Sequence, residues 1–204
     1  MSNHFKLLEG ALPAIKGHVT TNSAEKYFVS EVLRFLSIAG TIIQSFPDPK
    51  QNMDSRILTH ILTRSLLENY FWLLYIFDDP TTTTQKFNEL LNDFKIQYTK
   101  LYNEVELPHK NLIEAPDASW AALNKPKDIK SMLDSLRNDY GGRLGYLYFV
   151  YRIASFDTHG KSLKPLFDES FKKDCNFPVL DLPKVFDLIA NQYLVIWQTM
   201  CATN

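Results

Sequence analysis

Between residues 23 and 45 the apolar side chains Phe28, Val32, Leu33, Phe35, Leu36, Ile42 and Ile43 recur at intervals of three and four. That spacing predicts a helix with one broad apolar stripe, and the FPDP that follows stops it. A shorter helix is expected at residues 5–16, broken by Pro13. The next periodic segment, 54–77, has Asp54 as a candidate N-cap and is apolar almost all round, which marks a buried central helix. DDP ends it. From Thr84, a plausible cap, Phe87, Leu90, Leu91, Phe94, Tyr98, Leu101 and Tyr102 trace an amphipathic outer helix to about residue 106. Residues 107–127, LPHKNLIEAPDASWAALNKPK, lose the periodicity and hold three prolines, so a loop or lid is expected, with a short helical turn in SWAALNK. A helix over 128–138, a Gly-Gly turn in DYGGR and a helix over 144–158 follow, with Gly160 placed to end the last of these. A polar stretch containing Pro165 and Pro178 leads to a final helix over 182–200, with Val185, Phe186, Ile189, Tyr193, Ile196 and Trp197 on its inner face. No segment reads as a strand. The expectation is an all-α protein, an up-and-down bundle of four long helices with additional short helices, in a single domain spanning 1–204.

Composition narrows the function classes. Twenty-two basic and twenty-three acidic residues leave a net charge of −1, so no global field draws the chain to nucleic acid or an anionic membrane, and an RNA-binding role needs a local patch. The start, MSNHFKLLEG, has too short an apolar run for a secretory signal, and a cytoplasmic location is expected. Cys175 and Cys201 stand apart, with no CxxC and no histidine at ligand spacing, and read as reduced thiols. The apolar run 61–77 contains Arg64, Glu68 and Asn69, which favours a buried helix over a membrane span.

The informative residues are polar ones on apolar helices. Arg64 and Glu68 are four apart and share a face. They suit either a packing ion pair or the wall of a polar pocket. Tyr148, Arg152, Ser155 and His159 fall within one narrow stripe at roughly 100° per residue, and Asp157 lies off it. The bland account of His159 is a helix-terminal imidazole favoured by the macrodipole, and that of Arg152 an ion pair, with Glu68 as a candidate partner. Neither explains four polar side chains in a row on a helix that also carries the apolar Leu147, Phe149, Val150, Ile153, Ala154 and Phe156. Tyr70, Trp72, Tyr148 and Tyr151 offer a weaker alternative, an aromatic small-ligand pocket, with plain core packing the favoured account of them.

The Arg152 and His159 pair, six residues between them on a helix of an all-α chain, resembles the motif of the HEPN superfamily. Many of its members are metal-independent ribonucleases of toxin–antitoxin, CRISPR and other antiviral systems. The chain is also similar to an uncharacterised bacterial helical family with an R-x-x-x-E pair, here Arg64 and Glu68, and a Y-x-x-x-S-x-x-x-H segment, here Tyr151, Ser155 and His159. The HEPN resemblance implies that His159 serves as general acid or base and Arg152 stabilises the transition state. Ser155 with Tyr148 or Tyr151 would position phosphate, and Asp157, Arg64 and Glu68 would support the site. It also implies RNA as partner, a homodimer that completes the site, an antitoxin or other protein partner, and neither metal nor cofactor. Beside it stands a different class: a non-catalytic helical interaction module in which the Arg, Glu and His residues form a structural polar network.

Overall fold

The computed structural model describes residues 3–46, 53–104, 109–160, 163–174 and 180–203, the side chains of 53–55 and 203 excepted. Among them every regular element is helical, so the all-α expectation holds. The α-helices are α1 (Asn3–Gly17), α2 (Ser23–Ser45), α3 (Met53–Phe77), α4 (Thr83–Asn103), α5 (Ile129–Asp134), α6 (Gly141–Thr158), α7 (Leu163–Phe171) and α8 (Leu182–Thr203). The chain divides into two compact units. One comprises Met1–Tyr70 with Asp139–Asn204, the other Phe71–Asn138.

In the first unit α1 packs on α8 and α2, and α2 on α8. Phe35 of α2 is the hub, its ring meeting Phe5 at 5.8 Å, Phe186 at 6.1 Å and Tyr193 at 5.2 Å, all edge to face. Such offset contacts suit ring quadrupoles and fill space without voids. Pro13 does not break the first helix as expected. The helix persists because it is held at both ends: Phe5, Leu8 and Ile15 are buried, and Asp187 of α8 accepts hydrogen bonds from the first-turn N–H groups of His4 (2.8 Å) and Phe5 (3.0 Å). Those are donors a helix start leaves orphaned. For α2 the boundary prediction succeeds, and Asn22 supplies the cap by accepting from the Glu25 N–H at 3.0 Å.

The second unit centres on Trp72, Tyr75 and Met132, with Leu90, Ile129 and Leu136 packed against them. Its turns depart from expectation. Thr84 caps nothing; Asp79 instead caps a 3-10 turn at Pro80–Thr82, and α4 follows directly. The helix expected over 128–138 stops at Asp134, because Asp78 takes the N–H groups of Arg137 (2.8 Å) and Asn138 (3.2 Å) out of the helical pattern. Residues 109–127 carry 3-10 turns at Lys110–Leu112 and Ala118–Ala122, the second matching the turn expected in SWAALNK. Trp120 meets the edge of Tyr98 at 6.2 Å, which ties this segment to α4.

Two further differences bear on the candidate site. Gly141 does not close a separate Gly-Gly turn but opens α6 at φ +60°, a conformation strained for any side chain, so the helix starts before Leu144. Leu163–Phe171 forms α7 where a polar connection was expected. Pro165 is compatible with it because it sits in the first turn, where its missing N–H would have had no helical partner.

Candidate functional site

Of the eight candidate site residues, seven belong to α3 and α6 and His159 is the residue that caps α6, all within the first unit. Gly160, at φ +67°, ends α6 as expected, and the His159 N–H closes the last turn on Ser155 O at 3.2 Å. The polar residues of α6 then part into an inner and an outer set.

The inner set meets α3. Arg64 donates from one terminal nitrogen to Glu68 Oε2 at 2.6 Å, from the other to the Tyr151 hydroxyl at 3.2 Å, and from Nε to Ser155 Oγ at 3.3 Å. Its guanidinium carbon lies 5.0 Å from the centre of the Tyr151 ring, within cation–π range. Ser155 passes its own proton back to Tyr151 O at 2.7 Å. Tyr148 stacks on Tyr151, with ring centres 6.1 Å apart. Burial, reinforced by the Glu68 charge, pushes the Tyr151 phenol above its ordinary value, against the opposing charges of Arg64 and Arg152. The Arg64 side chain is 18% exposed and that of Glu68 38%, so the pair sits at the rim of the packed interior.

Asp157 is deeper still. Its side chain is fully buried, with Oδ2 2.6 Å from His60 Nδ1 and Oδ1 accepting the Leu163 N–H at 2.9 Å. One carboxylate thus fastens α6 to α3 and to the first residue of α7. A carboxylate only accepts, so the imidazole tautomer with hydrogen on Nδ1 is the one that donates. Burial holds His60 below the usual histidine range, outweighing the pull of Asp157 toward the charged form.

The outer set is Arg152 and His159. Both are exposed, and among the described residues neither has an acidic side chain in ion-pair contact. Glu68 pairs with Arg64, so the bland expectation of an Arg152–Glu68 pair fails. The stripe of Tyr148, Arg152, Ser155 and His159 therefore straddles the edge of the interior: Tyr148 and Ser155 lean in, Arg152 and His159 stand out. His159 follows Arg152 by seven positions, a rise of about 10.5 Å at helical geometry.

Sequence reasoning overlooked His60. The signal was available: Arg56, His60, Arg64 and Glu68 succeed one another every four residues along an apolar helix, one continuous polar line. Plain core packing, the favoured account of Tyr70 and Trp72, holds. Tyr70 is buried against Tyr193 in the first unit, and Trp72 packs on Tyr75 in the second. Among the described residues no group of His, Cys, Asp and Glu is arranged to hold a metal ion. Cys201 is a free, exposed thiol, and Cys175 lies outside the described residues. Compared with family models, curated proteins and solved structures, the chain matches none.

Proposed function

We propose that the exposed face of α6 acts on RNA, with Arg152 and His159 as the reacting pair of a metal-independent endoribonuclease. The observation that carries this reading is the exposure of both side chains with no acidic side chain in ion-pair contact among the described residues, while Glu68 and Asp157 are committed to Arg64 and His60. An arginine without a counter-ion at a helix surface is available to phosphate, whose oxygens match its planar fork of donors. The His159 imidazole can take the proton of a ribose 2′-hydroxyl or return one to the leaving 5′-oxygen. Arg152 then stabilises the charge that builds on the phosphorus oxygens as the 2′-oxygen attacks. Glu68 and Asp157 act only through others: Glu68 holds Arg64, and Asp157 holds His60. The test is incubation of purified protein with single-stranded RNA in EDTA. Cleavage is expected for the native protein and absent in His159→Ala and Arg152→Ala; cleavage unchanged in both variants removes the mechanism.

A second reading rests on a different observation. Arg64 donates to Glu68, Tyr151 and Ser155, as expected of a network that sets helix register in a non-catalytic interaction module. Absence of cleavage together with loss of stability in Arg64→Ala would favour it.

A further inference from the structure

The outward side of α6 carries more than the reacting pair. From Gly142 to His159 the exposed positions are Gly142, Gly145, Phe149, Arg152, Phe156 and His159, at steps of three and four, and they form one continuous stripe. Phe149 is 41% exposed and Phe156 45%. On a helix whose other apolar residues are largely inside, two half-exposed phenylalanines alternating with an arginine and a histidine call for an explanation.

We infer that this stripe is a stacking platform for a single-stranded RNA, with Phe149 and Phe156 each receiving an unpaired base and Arg152 a phosphate of the strand between them. The inference rests on the RNA reading of the same face and names the form of RNA it takes. Three features support it. The stripe holds a cation and a titratable imidazole but no carboxylate, since Asp157, the helix's acidic residue, faces inward; its charge therefore complements a polyanion. The two rings are seven residues apart, about 10.5 Å along the axis. That is about three base rises of 3.4 Å, so rings and bases can keep step along one strand. Aromatic rings interleaved with basic groups are also how proteins hold unpaired bases without reading sequence, because every base offers a π-face. A paired duplex keeps its bases stacked on each other and offers the rings nothing. A second copy of the chain suits the stripe less well: packed about a two-fold through its middle, it would set Arg152 against its own copy with no acid to neutralise either.

The experiment is fluorescence anisotropy with a fluorescein-labelled 2′-O-methyl RNA single strand, whose capped hydroxyl prevents cleavage, and with the same sequence as a blunt duplex. Phe149→Leu and Phe156→Leu keep the surface apolar but remove the rings. Each is expected to weaken single-strand binding about tenfold, and the native protein to bind the duplex at least about tenfold more weakly than the strand. Single-strand binding unchanged in the double leucine variant, or duplex bound as tightly as strand, overturns the inference. So does native protein that binds neither but forms a dimer that the double variant abolishes, which assigns the stripe to a second copy. The two readings fail separately. Single-strand binding lost with the rings, but no cleavage of ordinary RNA, keeps the platform and removes the enzyme. Cleavage at unchanged KM and kcat in the leucine variants keeps the enzyme and removes the platform.

Discussion

The two sides of α6 are built from similar residues put to opposite uses. Inward, Tyr151, Ser155 and Asp157 meet Arg64 and His60 of α3, and each of these groups has hydrogen-bond partners. Outward, Arg152 and His159 alternate with Phe149 and Phe156, with no acidic side chain in ion-pair contact among the described residues. Polar groups that leave water are held only where each donor finds an acceptor, because an unsatisfied buried group loses its hydration for nothing. Polar groups that keep their water need no protein partner and stay available to a ligand. Burial, not residue type, separates the framework from the candidate site.

The contrast is broken most severely at Asp157. Replacing it with alanine leaves the His60 ring and the Leu163 N–H without their acceptor inside the packed interior. A loss of about 3–5 kcal/mol in urea unfolding is expected. A loss under about 1 kcal/mol would show that the carboxylate is not the tie between α3, α6 and α7.

Arg64→Ala should cost less, about 1–2 kcal/mol, because Glu68 is partly exposed and can recover water. Equal losses for Arg64 and Asp157 in the same titration would erase the gradation from rim to interior.

Acid offers a third approach. His60 binds its proton less readily folded than unfolded, so below the ordinary value of 6.5 the unfolded chain takes up more protons and gains stability relative to the folded one. The contribution is intact above that value and is lost as pH falls through it toward the depressed folded value. The melting temperature should therefore drop between about pH 7.5 and 5.5. His60→Gln should flatten that slope, and an identical slope in the variant would move the effect elsewhere.

The outer residues should show the smallest effect of all. Arg152→Ala and His159→Ala are each expected to change stability by no more than about 0.5 kcal/mol in calorimetry, as substitutions at exposed sites usually do. A loss of about 2 kcal/mol or more at either position would place it in the framework and undo the division on which the functional proposal stands.

Much of the fold was legible locally. The limits of α2, the end of α6 at Gly160 and the start of α8 follow from apolar spacing and terminating residues, which act over a turn or two of chain. The expectations that failed depended on distant partners. Pro13 is carried by a helix anchored to Asp187, and the helix after Asp128 is cut short by Asp78. In α7 Pro165 concealed a short apolar pattern of Leu163, Leu166, Phe167 and Phe171.

For the candidate site the division is the same. The sequence by itself determined that Arg64 and Glu68 would be neighbours, since four residues of helix bring side chains together whatever surrounds them. It determined equally that Asp157 would point away from Arg152 and His159. Only the tertiary structure decided which side of α6 would meet α3. That choice joined His60 to Asp157 across 97 residues and left Arg152 and His159 in water. Helical periodicity sets angles around one axis; the pairing of two axes is settled by burying the most apolar surface while leaving few enclosed polar groups without a partner.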